Sequence, residues 1–239
     1  MADGKIVYFE GFGMSDREKS IPADSKTLYN IGSISKVYVA VAALLLAEEG
    51  KLSLDKPVTD YIPEFKMADP RYKDITVRML LNHTSGLPGT ECVSAYGFKY
   101  NPELKQETLA TLSRARLKHK PGAMAVYCND GFTLAEIVVE RTSGMSYRDF
   151  LKKRIFNPLG LKHTDVSVGD LKSKDGTAKF YDAESGLLLQ PEALSFLGAG
   201  GLSSTTEELC SFVDAVVGGK AFFPAGVIKQ MKMPQPAAT

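Results

Sequence analysis

The sequence predicts an α+β fold, and three observations carry that prediction. Residues 37–47 (VYVAVAALLLA) are apolar on every helical face. Such a run is a core helix rather than a surface one, and it is too short to cross a bilayer. Segments 76–81, 107–118, 132–141, 146–156 and 206–217 also have helical spacing or helical boundaries. Strand character is confined to the β-branched and aromatic stretch 5–10 and to the runs 178–181 and 187–189, which flank a turn at 182–186.

Taken in order, 5–10 reads as a strand bounded by Gly4 and by Gly11-Phe12-Gly13, with no partner strand before it. Polar residues 15–26 read as a loop that feeds the central helix. Residues 51–63 are a Pro-punctuated connection, 89–102 a Gly/Tyr/Ser-rich loop, and Pro121-Gly122 a stop after the 107–118 helix. Gly198-Ala199-Gly200-Gly201-Leu202-Ser203-Ser204 reads as a Gly-rich turn ahead of a helix with Glu207-Glu208 in its first turn.

Composition excludes several classes of function. Lys+Arg 29 against Asp+Glu 28 leaves a net charge of +1, so no overall field recruits nucleic acid or an anionic membrane. The basic cluster 114–120 has no interleaved aromatics and reads as a solvated helix end. Cys92, Cys128 and Cys210 are odd in number and widely spaced, which argues for free thiols over a disulfide framework. No cluster has metal-ligand spacing, and no cofactor is implied. The first residues do not form an export signal, so the chain as written reads as cytoplasmic unless such a signal lies upstream.

Ser33 and Lys36 stand at the start of the central helix, three residues apart and therefore on one face. A lysine amine in an apolar setting loses its proton more readily than in water and can take the proton of a serine hydroxyl. Ser-x-x-Lys also arises by chance about once in a chain this long. A second copy, Ser53-Leu54-Asp55-Lys56, runs into Pro57 as a surface turn with no apolar helix behind it. Position separates the two. Tyr127 and Asn129 form the Tyr-x-Asn of the chain, presenting a phenol that can relay a proton and an amide that can orient a substrate. His83, beside a helix end and a Gly-Pro turn, reads as a group that satisfies backbone, with a base role as its alternative. No Gly-x-Ser-x-Gly elbow is present.

Several motifs follow one another in order: Gly32-Ser33-Ile34-Ser35-Lys36, His83-Thr84-Ser85-Gly86-Leu87-Pro88, Pro121-Gly122 with Tyr127-Cys128-Asn129, Asn157-Pro158-Leu159-Gly160-Leu161, and Gly200-Gly201-Leu202-Ser203-Ser204. This series resembles the class C β-lactamase and penicillin-binding-protein-like serine hydrolases, a family that includes esterases and D-amino-acid peptidases. The resemblance runs from about Gly4 to about Met231. It implies one domain with an antiparallel sheet packed against helices and a mainly helical region. It also implies acyl transfer, with Ser33 as nucleophile, Lys36 and Tyr127 sharing acid and base work, and Asn129 lining the site. The implied partner is a small-molecule or peptide substrate: a β-lactam, a D-Ala-type peptide or a carboxylic ester. Oligomeric state stays open.

The family's third motif, a Lys or His followed by a small residue and Gly, has no copy downstream of Gly200-Gly201-Leu202, and Lys174-Asp175-Gly176 lies upstream among charges. The expectation is therefore a chain truncated at both ends, with its sheet incomplete. A non-catalytic binding or regulatory relative is the alternative.

Overall fold

The computed structural model describes residues 1, 4–90, 93–167, 176–217 and 222–235. Residues 5–10 form no strand, contrary to the reading of their composition: Val7 and Tyr8 are 68% and 72% exposed, and strand preference depends on a half-buried face that they lack. The supposed loop at 15–26 instead holds part of an antiparallel pair, β1 (Met14–Asp16) and β2 (Ile21–Pro22). β3 (Leu28–Asn30) follows and leads through a 3₁₀ turn, Gly32–Ile34, into α1 (Ser35–Glu48).

α1 is the predicted core helix. It buries ten of its residues, and Gly50 beyond it adopts the left-handed conformation (φ +70°) that ends helices. α2 (Val77–Leu81) starts where Thr76 Oγ1 accepts the N–H of Met79. The 89–102 stretch includes a two-residue strand, β4 (Tyr96–Gly97). α3 (Leu104–Leu112) stops six residues before the predicted end. Tertiary contacts claim the backbone beyond it: Ala115 O accepts Ala68 N–H at 3.1 Å, and Lys118 N–H goes to Gly86 O at 2.8 Å.

α4 (Asn129–Ser143) begins earlier than its apolar pattern, because Cys128 Sγ accepts the N–H of Gly131. α5 (Tyr147–Leu151) is capped by Ser146 and continues through a π-helical stretch, Lys152–Phe156, into α6 (Asn157–Leu159). Then come β5 (Asp165–Val166), the expected hairpin of β6 (Phe180–Tyr181) and β7 (Leu188–Leu189), and β8 (Ala193–Leu194), which pairs with β4.

The supposed Gly-rich turn is a short helix, α7 (Leu197–Gly200), followed by a fully buried strand, β9 (Leu202–Thr205). β9 is the centre of an antiparallel sheet with order β3-β9-β5, the largest sheet among the described residues. Serines hide in this strand because their hydroxyls find partners: Ser204 Oγ meets Thr164 Oγ1 at 2.8 Å, and Ser203 Oγ meets Ser167 Oγ. α8 (Thr206–Val217) and α9 (Ala225–Lys232) complete the elements; α9 was not foreseen. Cys128 and Cys210 are free thiols as expected, while Cys92 and the Lys174-Asp175 pair lie outside the described residues. No described helix is long and apolar enough to cross a membrane.

α1 packs on α4, α7 and α9, with Leu46 near its end 1% exposed. Leu46→Ala is expected to cost about 2–5 kcal/mol through lost burial and the cavity left behind, read as a lower denaturation midpoint.

Candidate active site

The site forms where the sheet hands the chain to α1. Asn30 at the end of β3 sits opposite Ser203, and Ile31 N–H bonds Leu202 O at 2.9 Å. The Asn30 amide then donates to Gly200 O at 3.2 Å while its oxygen accepts Gly32 N–H at 2.8 Å. Ser35, fully buried, accepts Leu202 N–H at 3.1 Å and so ties β9 to the start of α1. These contacts leave Ser33 on an exposed 3₁₀ turn one step ahead of the helix. Lys36 lies beneath it in the first turn, only 6% exposed.

Three groups meet at this point. Lys36 Nζ donates to Ser33 Oγ at 3.1 Å and to the backbone oxygen of Ala199 at 2.5 Å. Tyr127 OH donates to Ser33 Oγ at 2.5 Å. The ammonium also lies over the aromatic rings of Tyr127 and Phe132, at 4.7 and 5.4 Å from the centroids. Burial lowers the Lys36 pKa below its ordinary 10.5, and the hydrogen bond and charge of Tyr127 oppose that fall. The outcome is an amine that gives up its proton more easily than a solvated lysine.

Tyr127 is held in place from below by His83. Val126 N–H bonds His83 O at 2.9 Å, Cys128 N–H donates to His83 Nδ1 at 3.1 Å, and the imidazole stacks on the phenol at 4.6 Å. His83 follows the last turn of α2 with φ +64°, a position that glycine fills most readily. Thr84 N–H closing back on Met79 O at 3.0 Å completes this helix end. The ring is thus kept at a backbone position that disfavours it, and it supports the turn that carries the phenol.

Of the four residues singled out by sequence, Ser33, Lys36 and Tyr127 converge on one oxygen. Asn129 stands two residues on, as the first residue of α4; its amide donates to Thr90 Oγ1 at 2.8 Å, and its buried Oδ1 has no hydrogen-bond partner among the described residues. It makes no hydrogen bond to the other three. Two contributors escaped sequence reading. Ala199 acts through its carbonyl, for which side-chain chemistry gives no signal, although the small residues around it allow the close approach. Glu136, completely buried on α4, accepts the neighbouring Gly198 N–H at 2.7 Å. A glutamate inside an amphipathic pattern reads as a surface residue.

Residues 1–237 match the family described as Beta-lactamase. The chain belongs to the β-lactamase family. Among curated relatives, penicillin-binding protein 4* of Bacillus subtilis (strain 168) is 30% identical over 230 residues, covering 89% of this chain and 50% of that protein. Protein flp of Staphylococcus aureus (strain MW2) is 32% identical over 173 residues, 72% of this chain and 34% of that protein. The chain therefore spans half or less of the length of these relatives.

Among solved structures, the octameric penicillin-binding protein homologue from Pyrococcus abyssi superposes with a TM-score of 0.83 at 30% identity, over 97% of this chain and 54% of that one. A β-lactamase/D-alanine carboxypeptidase from Pseudomonas syringae gives 0.74 at 25% identity, over 92% and 59%. A class C β-lactamase in complex with cefoxitin shares the fold, with a TM-score of 0.77 at 24% identity over 94% and 60%. The predicted fold class, α+β of the β-lactamase and penicillin-binding-protein type, is the one observed.

Burial first, and then the Lys36 cation, lowers the His83 pKa below 6.5. The unfolded chain then binds a proton that the folded ring resists, so this residue makes stability fall as pH drops below about 6.5 and has little effect well above it. His83→Ala is expected to cost about 1–3 kcal/mol by leaving Cys128 N–H without its acceptor, and to flatten the pH dependence of the denaturation midpoint below 6.5. An unchanged midpoint and slope would contradict this role.

Proposed function

We propose that the chain is a serine acyl hydrolase that works through a Ser33 acyl-enzyme on a β-lactam, a D-Ala-type peptide or a carboxylic ester. The observation that carries this reading is the convergence of Lys36 Nζ (3.1 Å) and Tyr127 OH (2.5 Å) on one solvent-exposed serine oxygen. Two donors on a single Oγ stabilise the negative charge that a serine develops as it attacks a carbonyl. The printed names of the relatives, a penicillin-binding protein and a β-lactamase/D-alanine carboxypeptidase, support the β-lactam and D-Ala classes.

In this mechanism the neutral Lys36 amine takes the Ser33 hydroxyl proton as Oγ bonds to the carbonyl carbon. The tetrahedral intermediate collapses to the acyl-enzyme, and Tyr127 passes a proton to the departing nitrogen or oxygen, replenished from the Lys36 ammonium 4.7 Å from its ring centre. Water repeats the attack on the ester, and the proton returns to Ser33. Asn129, two residues beyond Tyr127 at the start of α4, is assigned to line the site.

A second reading, a non-catalytic relative, rests on the absence of a Lys-or-His, small residue, Gly tripeptide after β9 in these 239 residues. In the family the strand that carries this tripeptide supplies an oxyanion donor, and one such donor is worth about 10²–10³ in rate.

Hydrolysis of a chromogenic cephalosporin, a D-Ala-D-Ala peptide and a p-nitrophenyl ester separates the readings. Turnover of at least one is expected, falling by about a thousandfold or more in Ser33→Ala. The acid limb of the rate profile should lie below pH 10.5, since activity needs the neutral amine and burial favours it. Turnover that survives Ser33→Ala, or its absence for all three substrates, would contradict the proposal.

A further inference from the structure

Lys36 is held from two sides, by Ser33 Oγ and by the carbonyl of Ala199, and the second hold depends on what fixes α7. Within α7 the N–H groups of Ala199 and Gly200 turn back to Phe196 O at 3.1 and 2.9 Å and that of Gly201 to Leu197 O at 3.1 Å, which leaves the N–H groups of Leu197 and Gly198 without a partner inside the helix. Phe196 at its start offers no side-chain cap, so its first N–H groups need partners from elsewhere. Glu136 Oε2 provides one, accepting Gly198 N–H at 2.7 Å from the middle of α4.

The fit is tight. A Cβ on Gly198 would lie 2.6 Å from Val39 of α1 and 3.2 Å from the Glu136 carboxylate, so the α7 backbone is pressed directly between those two helices. Glu136 is 1% exposed and flanked on α4 by the buried Leu134, Ala135, Ile137 and Val138. Lys105 of α3 comes within 2.9 Å of Glu136 and 2.7 Å of Glu140. The other titratable groups facing the carboxyl are the phenols of Tyr100 and Tyr147. Burial pushes the Glu136 carboxyl up, opposed by Lys105 and by the Gly198 N–H; burial would lower Lys105, but the two carboxylates outweigh it and raise it. Glu140 adds to the rise at Glu136, and with or without its proton Glu136 keeps an acceptor oxygen toward Gly198 N–H, so the anchor rests on the 2.7 Å contact.

A buried ion pair is a poor source of stability, and apolar residues of similar size serve a core as well. We infer that Glu136, paired with Lys105, is a positioning residue for Lys36: it anchors Gly198 so that the next carbonyl, Ala199, aims the lysine amine at Ser33. This rests on the acyl-transfer reading of Ser33 and Lys36. A neutral amine has two N–H groups and one lone pair. Donation to Ala199 O leaves the lone pair free to face the serine hydroxyl, whereas a displaced α7 lets it turn away. Losing that carbonyl also removes an acceptor that favours the charged form.

The test compares Glu136→Met, nearly isosteric but without an acceptor, with Glu136→Gln, which keeps an oxygen for Gly198. Two quantities are read: the rate at which a fluorophosphonate labels Ser33, and the Lys36 titration midpoint from NMR of ε-¹³C-lysine protein, assigned with Lys36→Arg. In Glu136→Met the labelling rate is expected to fall by about a hundredfold and the midpoint to move down, while Glu136→Gln stays within about tenfold of the parent rate. Folded Glu136→Met with the parent rate and midpoint would overturn the inference, as would Glu136→Gln impaired equally. If the methionine variant fails to fold, Glu136→Leu, which likewise lacks an acceptor for Gly198 N–H, takes its place: the same fall in rate and midpoint is expected, and parent values in it overturn the inference. Lys36 titrates whether or not Ser33 reacts. An unlabelled parent therefore sinks the acyl-transfer reading alone, and the midpoints still decide the positioning role.

Discussion

A single amine buried between a serine oxygen and a backbone carbonyl is the constraint around which the molecule is arranged. Taking a lysine out of water is costly unless its donors are satisfied. Lys36 meets that condition with Ser33 Oγ, Ala199 O and the faces of Tyr127 and Phe132. Each partner arrives on a different element: the turn before α1, α7, the turn before α4, and α4 itself. Those elements must keep their register for the lysine to stay buried, which ties the tertiary packing to the chemistry of one nitrogen.

Support beneath the site follows the same logic. His83 occupies a left-handed position suited to glycine and uses its ring to hold the segment that carries Tyr127. The β3-β9 pairing brings Asn30 and Ser203 together and sets where the chain turns toward Ser33. The likeness to a penicillin-binding protein homologue across 97% of this chain shows that the framework is shared, while coverage of 54% of that longer structure marks how much of it lies beyond these residues.

The parts of this arrangement that could be read in the sequence are those that obey a local period. α1 was legible because its apolar run is unbroken, and Ser33 with Lys36 because a spacing of three places both on one helical face. Tyr127 stood out locally only as the phenol of a Tyr-x-Asn turn, and the resemblance tied it to Ser33; nothing local says that a phenol ninety-four positions away reaches that serine. β9 was hidden because its Leu-Ser-Ser-Thr follows Gly200-Gly201 and reads as part of a turn, and its existence depends on neighbours that satisfy its hydroxyls. Stretch 5–10 failed in the opposite direction, with strand-forming residues left exposed and without the half-buried face that strand propensity presumes. Glu136 and the Ala199 carbonyl were invisible for a further reason: their roles exist only once α4 and α7 touch.

The most direct measurement is peptide-resolved mass spectrometry of the chain after exposure to a fluorophosphonate. The account predicts a single phosphonyl adduct that fragmentation of the peptide places on Ser33, with none on Ser35 or Ser53. An adduct elsewhere, or none on protein shown to be folded, would contradict the claim that Lys36 and Tyr127 activate this serine.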